Sequence, residues 1–284
     1  MKAAKHAYLI IAHNNFGVLQ CLISALDDAR NDIYIHFDAR VKQLPHLKCF
    51  KSHLFIIPNR IKVHWGHISQ VKVEFLLFEA ALNNNDDSYE YVHLISGTHF
   101  PLKSQDYLHN YFSNIGNKSI VSKIYWGYED ILFRMGLQHF FLPNAVSGTN
   151  ISSHIRNFLW RGLLKVQPIS KNKVKELFKG KYSQWVSLYN TDLIKIYDFK
   201  KEILHKFNHT FCSDEHVMPY LFDRIGIKPI ESSDYLFQNF PKASPERLNM
   251  NKLNEIINSG CLFARKFDDE DLLVLDKIQQ TYNK

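Results

Sequence analysis

Short apolar runs rich in β-branched and aromatic residues alternate with helical patterns over the first part of this chain. The runs that predict strands are AYLIIA from Ala7, IYIHF from Ile33, LFII from Leu54, YVHLI from Tyr91 and SIVS from Ser119. Between them, residues 16–30 and 67–82 carry apolar side chains at helical spacing. This alternation predicts an α/β fold with a mostly parallel central sheet flanked by helices. In such a sheet, ligands bind beyond the carboxyl ends of the strands.

The rest of the chain departs from this regular alternation. Residues 125–181 mix aromatic and basic side chains, and we interpret them as an elaborated loop region with short helices. A strand-like segment, QWVSLY, begins at Gln184, a helix is predicted from about Thr191, and residues 268–282 predict a final helix. No repeat, low-complexity tract or clear linker interrupts the sequence, which favours a single domain over residues 1–284.

The glycines exclude several common nucleotide-binding and hydrolase motifs. No two of the 11 glycines lie within four residues of each other, so the sequence has no GxGxxG turn and no GxxxxGK phosphate loop. It also lacks a GxSxG elbow and an HExxH zinc motif. His64 and His67 are three residues apart, but no nearby carboxylate completes a metal site with them. We therefore predict no metal site, and any nucleotide must be held by other means.

The chain is basic, with a net charge of +7, which suits an anionic partner such as a phosphate group. The basic stretch 165–181 lacks the interleaved aromatics of a nucleic-acid groove, so we interpret it as a solvated loop, with contact to anionic lipid as the alternative. The four cysteines are far apart, which indicates reduced thiols. The first apolar run spans only residues 7–12, too short for a signal sequence or a membrane helix. We expect a cytoplasmic protein, with peripheral attachment to the inner membrane left open.

Four stretches of the chain, in this order, are similar to segments of one enzyme family. They are AYLIIAHNN followed by IYIHFDAR; VHWGHISQVKVEFLLFEAAL; YVHLISGTHFPLKS; and, in the C-terminal third, KGKYSQWVSLY, CSDEHVMPYLF and CLFARKF. Together they resemble the core-2/I-branching β-1,6-N-acetylglucosaminyltransferase family (glycosyltransferase family 14), which also contains the peptide xylosyltransferases. The resemblance covers nearly the whole chain. It implies a GT-A-type transferase that uses a UDP-sugar, inverts the anomeric carbon and needs no divalent metal or other cofactor.

The sequence is compatible with a mechanism that uses no metal. GT-A enzymes that bind a metal carry a DxD turn after a central strand. The only DxD here is Asp269-Glu270-Asp271, which opens the last predicted helix, where acids suit the helix dipole. At the comparable central turn, the sequence SGTH ends at His99, whereas relatives often have Asp at this position. The substrate contacts at this turn therefore differ from those of such relatives.

The resemblance implies a catalytic base and a diphosphate-binding pair. An inverting transfer needs a base for the acceptor hydroxyl, and Glu215 in CSDEHV matches the family's catalytic glutamate. Arg265 and Lys266 in CLFARKF match the family's basic pair, whose lysine contacts the phosphates. The candidates for a second basic residue upstream are Lys242 and Arg247. The alternative interpretation makes Glu215 part of a helix cap and the basic pair a surface feature.

The residue Pro219, four positions after Glu215, restricts the helix predicted there. A proline inside a helix removes one backbone hydrogen bond and clashes with the preceding turn. The sequence therefore leaves two possibilities: either the helix starts near Met218, or its first turn is bent.

Other residues are predicted to line the substrate pockets. Asp38, at a predicted strand end, would accept hydrogen bonds from the uracil or the ribose; the competing interpretation is a buried carboxylate that caps a turn. His13 would line the same pocket, and Trp65 is predicted to be structural or adjacent to the nucleotide. We expect residues 125–181 to face the acceptor. The residues predicted to contact the acceptor are Trp126, Glu129, Arg134 and Trp185.

The leading hypothesis is an enzyme that moves N-acetylglucosamine from UDP-GlcNAc to a hydroxyl of a glycan acceptor, forming a β-linked branch. Its partners would be the UDP-sugar and a glycan or lipid-linked saccharide, and no nucleic acid. Eukaryotic relatives are anchored in the Golgi membrane, so we expect a bacterial protein of surface polysaccharide synthesis. The alternative within the family is transfer of xylose or another UDP-sugar. The alternative outside it is a non-catalytic carbohydrate-binding protein on the same fold.

Overall fold

A computed structural model of the protein describes residues 4–84, 88–140, 142, 150–240 and 245–282. Within these ranges, seven strands form the central sheet and three short strands form a second sheet. The strands in chain order are β1 (Lys5–Ala12), β2 (Asn31–Phe37), β3 (His53–Ile56), β4 (Tyr89–Ser96), β5 (Phe100–Pro101), β6 (Ile120–Lys123), β7 (Tyr182–Tyr189), β8 (Ile230–Glu231), β9 (Leu236–Phe237) and β10 (Phe263–Ala264). All of the strands predicted from the sequence are present.

The central sheet is mostly parallel, as predicted. Its strand order is β3-β2-β1-β4-β7-β6-β8, and β1 pairs in parallel with both β2 and β4. The register places Ala12 opposite Phe37 and Ile11 opposite Ser96, so these three strands end at the same edge. Strand β7 is antiparallel to β4 and to β6, which brings its first residues to that same edge. The predicted α/β class with helices around a mostly parallel sheet is confirmed.

Helices connect and cover the strands. They are α1 (Phe16–Leu26), α2 (Ser69–Leu82), α3 (Gln105–Asn114), α4 (Tyr128–Gly136), α5 (Ile151–Val166), α6 (Lys171–Leu177), α7 (Asn190–Asp198), α8 (Lys200–Lys206), α9 (Asp214–Arg224), α10 (Leu253–Asn258) and α11 (Leu273–Tyr282), with short 3-10 helices at Met250–Lys252 and Asp269–Asp271. In α2, the predicted apolar face is present: Val71, Phe75 and Phe78 are fully buried. Helix α1 supplies side chains to both buried clusters, which joins the main core to the packing around α11.

The first predicted helix is shorter than expected. The apolar pattern predicts a helix over 16–30, but α1 ends at Leu26 because the side chain of the next residue binds a different segment of the chain. The carboxylate of Asp27 accepts hydrogen bonds at 2.8–2.9 Å from the backbone N–H groups of Phe50, Lys51 and Ser52. This contact ties the end of the helix to the loop before β3.

The DxD sequence also has a different structural role from the one expected. Instead of only facing the dipole of its own helix, the Asp269 carboxylate accepts a hydrogen bond at 2.8 Å from the Val18 backbone N–H. That donor lies in the first turn of α1, where N–H groups have no partner within the helix. The last α-helix accordingly starts at Leu273 rather than at residue 268.

The region 125–181 contains more regular structure than predicted. It holds α4, α5 and α6, and α5 alone has 16 residues. The interpretation of 165–181 as a solvated loop is wrong at its end, where Lys181 is 6% exposed. This lysine is buried because it forms ion pairs with two carboxylates, those of Asp130 and Glu215.

Gly66 links the start of α2 to the segment that precedes α9. Its φ of 70° lies in the left-handed region, and a Cβ added to it would lie 2.5 Å from a ring carbon of Phe211. Its carbonyl accepts a 2.8 Å hydrogen bond from the Cys212 backbone N–H. No other residue type fits here without moving the ring, because contacts this short do not occur between carbon atoms.

We expect Gly66→Ala to lower the free energy of unfolding by about 3 kcal/mol, from left-handed strain together with the clash against Phe211. Gly116→Ala is the matched control, because Gly116 has a φ of 74° and nothing within 4 Å of an added Cβ. The substitution Gly116→Ala should lower the free energy of unfolding by only about 1 kcal/mol. Urea denaturation of both variants measures the difference, and equal losses would show that the contact with Phe211 contributes nothing.

Candidate functional site

The carboxyl ends of β1, β2 and β4 open into a cavity of about 440 Å³. Its wall is completed by the first residues of β7, the start of α9 and the segment after β10. Eight of the ten residues predicted to contact substrate line it, namely His13, Asp38, Trp65, Arg134, Trp185, Glu215, Arg265 and Lys266. The structure thus brings together residues that are separated by up to 253 positions in the sequence.

Asp38 holds a turn at the cavity wall. Its carboxylate accepts four hydrogen bonds: two from the Arg40 guanidinium at 2.7 and 2.9 Å, and two from the backbone N–H groups of Arg40 and Val63 at 2.8 and 2.9 Å. Burial alone would raise the pKa of Asp38, but these donors outweigh it and lower the pKa to about 2. Asp38 therefore fixes Arg40, which also lines the cavity and which the sequence analysis missed. The only sequence sign of Arg40 was its position two residues after Asp38.

Glu215 lies in the first turn of α9 within a network of four charges. Its Oε2 accepts a 2.6 Å hydrogen bond from Nη1 of Arg134 and lies 3.2 Å from Nζ of Lys181. Both cations also contact Asp130, at 2.7 and 3.3 Å. Pairing two acids with two bases offsets the cost of placing charges in a partly buried site. In the described part of the chain, Oε1 of Glu215 has no hydrogen-bond donor and remains open to a ligand.

The position of Lys181 depends on a buried histidine. Nδ1 of His216 donates a 3.0 Å hydrogen bond to the Gly180 carbonyl, which fixes the residue before Lys181 against α9. Burial lowers the pKa of His216 to about 3, so the ring is neutral. The same helix, α9, begins at Asp214 and continues through Pro219. Of the two possibilities that the sequence left open, a start near Met218 is therefore wrong. Lys181 lies in the family-like segment KGKYSQWVSLY, but the sequence analysis did not select it as a site residue.

Arg265 is held against an aromatic face without a carboxylate partner. Its guanidinium carbon lies 5.1 Å from the ring centroid of Trp185, and its one side-chain hydrogen bond in the described residues is a long one, 3.4 Å, to Oε1 of Gln238. The Nε atom is buried with no partner, and burial lowers the pKa of Arg265 to about 10. Beneath the tryptophan, the ring of His99 packs edge-on at 4.9 Å. His99 is fully buried, so at this position the chain has a packing residue rather than a cavity wall.

Lys266 follows Arg265 in the chain, and His13 lines the same cavity as both of them. Burial and the charge of Arg265 lower the pKa of Lys266, while burial and the charge of Lys266 lower the pKa of His13. These shifts indicate a positive potential that an anion would relieve. Of the candidates for a further basic ligand, Arg247 is paired with Asp268 at 3.3 Å outside the cavity, and Lys242 lies outside the described residues.

A second cavity, of about 740 Å³, adjoins the first. Its lining comes mainly from the end of β6 and from residues 231–240. The two cavities share Arg134 and Glu215, which therefore stand at their common border. Trp126 and Glu129, predicted to contact the acceptor, line neither cavity: Trp126 packs edge-on against Phe178 at 4.6 Å, and Glu129 is exposed.

Comparison with known proteins agrees with this architecture. The sequence profile of the family "Branch: Core-2/I-Branching enzyme" matches residues 6–228 of the 284. The chain belongs to this family. It is a glycosyltransferase, and the predicted enzyme class is confirmed.

Two other comparisons add little to the family match. The crystal structure of mouse xyloside xylosyltransferase 1 in its apo form is similar at a TM-score of 0.40, with 8% identity over 91% of this chain and 97% of that chain. That likeness is too weak to support any argument. A search of curated protein sequences finds no match. None of the helices in the described ranges is long and apolar enough to cross a membrane.

The glycosyltransferase site also contains the carboxyl group of Asp214, which lies in an unfavourable environment for a charge. Its Oδ2 accepts a 3.2 Å hydrogen bond from Gln70, but Oδ1 is buried without a partner. Burial and the neighbouring charge of Glu215 raise the pKa of Asp214 to about 7. The carboxyl of Glu74 is also fully buried, and burial and the charge of Asp214 raise its pKa as well.

We expect Asp214→Asn to stabilise the protein in a pH-dependent way. The folded protein holds this proton more tightly than the unfolded chain, so wild-type stability falls as the pH rises from about 3.8 to about 7. Asparagine cannot ionise, so the gain in the free energy of unfolding should grow over that range and level off above pH 7, at a value on the order of 4 kcal/mol.

Thermal and urea unfolding between pH 4 and pH 9 measure this advantage. The control is Asp223→Asn, at the exposed end of the same helix. Its free energy of unfolding should change with pH as that of the wild type does. A constant difference between Asp214→Asn and the wild type at every pH would contradict the raised pKa.

Proposed function

We propose that this transferase moves N-acetylglucosamine from UDP-GlcNAc to a hydroxyl of a glycan acceptor, with inversion at the anomeric carbon. One observation carries the proposal: Glu215 stands at the border of two cavities, and one of these also holds Arg265 and Lys266. The first cavity would take the UDP-sugar and the second the acceptor. The sugar's C1 would then lie at the border, beside the carboxylate.

The geometry suits a single displacement. The acceptor oxygen forms a bond to C1 from the side of the second cavity while the bond from C1 to the diphosphate oxygen breaks. The proton of the acceptor hydroxyl passes to Oε1 of Glu215, and UDP leaves with the bonding electron pair. Attack opposite the leaving group inverts C1, as in inverting glycoside hydrolysis. Arg134 and Lys181 hold the carboxylate in place through its other oxygen.

We propose that side-chain cations stabilise the diphosphate and that no divalent metal is needed. The guanidinium of Arg265 has two features of an anion site: it is oriented by Trp185, and it lacks a carboxylate partner in the described residues. An arginine can engage two phosphate oxygens at once, and Lys266 adds a point charge. The uridine would lie toward Asp38, Arg40 and Trp65 at the other end of the cavity.

We further propose that the acceptor belongs to a bacterial surface glycan or its lipid-linked precursor and that the enzyme works in the cytoplasm. The support is the family membership together with the open second cavity, which is large enough for sugar rings. Trp126 and Glu129 remain proposed acceptor contacts, at the rim formed by residues after β6.

Glu215→Gln should lower the rate of transfer from UDP-GlcNAc by about 10²- to 10⁴-fold, because the amide cannot accept the proton. UDP binding should change by no more than about threefold. Radiolabelled transfer and calorimetry with UDP measure the two effects.

Glu255→Gln, which replaces an exposed glutamate of α10, is the matched control and should retain full activity. Unchanged transfer in Glu215→Gln would remove this residue from the role of base. The same assay with UDP-xylose in place of UDP-GlcNAc tests the donor, and faster turnover of the xylose donor would replace the sugar proposed here.

Lys266→Ala should weaken the binding of UDP by about 10-fold or more and that of UMP by much less, because the lysine is assigned to the diphosphate. Calorimetric titrations run with EDTA exclude divalent ions. Lys277→Ala, an exposed lysine of α11, serves as the control for loss of net charge. If EDTA abolished UDP binding to the wild type and Mn²⁺ restored it, a metal and not these cations would hold the diphosphate.

A further inference from the structure

Helix α5 turns an apolar stripe away from the protein. Its large exposed apolar residues follow one another at intervals of four, three, one, four and three positions, which places them along one side of the helix. Their exposed fractions are unusually high for such side chains, up to 80% at Ile151, 77% at Phe158 and 78% at Val166. The stripe consists of Ile151, Ile155, Phe158, Leu159, Leu163 and Val166.

The opposite side of α5 fixes the helix to the protein. Only Ser153 and Trp160 of this helix are buried, and they lie seven residues apart on one side. Trp160 donates a 3.2 Å hydrogen bond to Nδ1 of His139 and packs in a buried cluster with Phe211 and Cys212. Since Cys212 comes just before α9, the helix is packed against the segment that carries the proposed base. Because the opposite side of α5 packs against the protein, the exposed stripe faces away from the core.

The charged side chains of helix α5 are all basic. Helix α5 contains no Asp or Glu, and the nearest acids along the chain are Asp130 and Glu176. Arg156 lies on one flank of the stripe, and Arg161 and Lys165 lie on the other, as their positions on a helix of 3.6 residues per turn require. All three are exposed. An apolar stripe between two basic flanks is the pattern of a helix that lies flat in the surface of an anionic membrane.

We propose that α5 docks the protein on an anionic lipid bilayer, with the stripe inserted among the acyl chains and the basic flanks against the head groups. Charge complementarity favours this occupant, because a protein surface that matched the stripe would also have to supply acids along both flanks. The proposal goes beyond the assigned transferase activity and stands without it.

The test is co-sedimentation of the full chain with vesicles, in the absence of any sugar nucleotide. The probes are vesicles of phosphatidylglycerol and phosphatidylethanolamine, and neutral vesicles of phosphatidylcholine. We expect at least about tenfold stronger partition to the anionic vesicles, weakened by 0.5 M salt. Phe158→Asp should lower this partition by at least about tenfold, since it places a charge in the middle of the stripe.

Phe50→Asp is the matched control, because Phe50 is 85% exposed in the loop before β3 and lies off the stripe. It should bind vesicles as the wild type does, and the melting temperatures of both variants should match that of the wild type. Three results would overturn the proposal: no binding of the wild type to anionic vesicles, equal binding to neutral ones, or equal losses in the two variants. A wild-type dimer that Phe158→Asp converts to a monomer, without vesicle binding, would instead make the stripe an interface between copies.

Discussion

The parallel pairing of β1 with β2 on one side and β4 on the other determines where the polar residues of the site can lie. Because the three strands run in the same direction with a fixed register, His13 and Asp38 follow β1 and β2, and Ser96 ends β4, at one edge of the sheet. The antiparallel β7 then brings Trp185 to that edge from the opposite direction. A shift of one residue in any of these pairings would turn the site residues away from the cavity, since neighbouring side chains face opposite sides of a strand.

The sequence predicted the parts of this arrangement that depend on local pattern. Apolar runs identified β1 to β4 and β6, and the spacing of Val71, Phe75 and Phe78 identified the buried face of α2. The family motifs identified most of the residues around the first cavity. The direction of β7 could not be predicted, because a strand pattern has the same period in either direction. The end of α1 at Leu26 likewise depends on contacts of Asp27 with a loop more than 20 residues away.

The contacts of two site residues, Lys181 and Arg134, could not be predicted because they are made with partners that are distant in the sequence. Lys181 belongs to a stretch of lysines that looks solvated, and only the fold places it against Glu215 and Asp130. Arg134 was expected to contact a sugar, and its first partner in the structure is Glu215 at 2.6 Å. The sequence spacing of such distant pairs does not predict their contact. The distance between the two side chains is set by the fold and not by the period of a helix or strand.

The packing of Arg265 against the buried ring of Trp185 has a consequence for how the protein would bind an anion. Folding removes water from much of the Arg265 guanidinium and orients this group on the indole of Trp185. The N–H groups of the guanidinium therefore need no reorientation when an anion binds. Most of the dehydration of that cation therefore occurs during folding and not during binding. An anion that bound Arg265 only in the folded protein would therefore also raise the resistance of the protein to thermal unfolding.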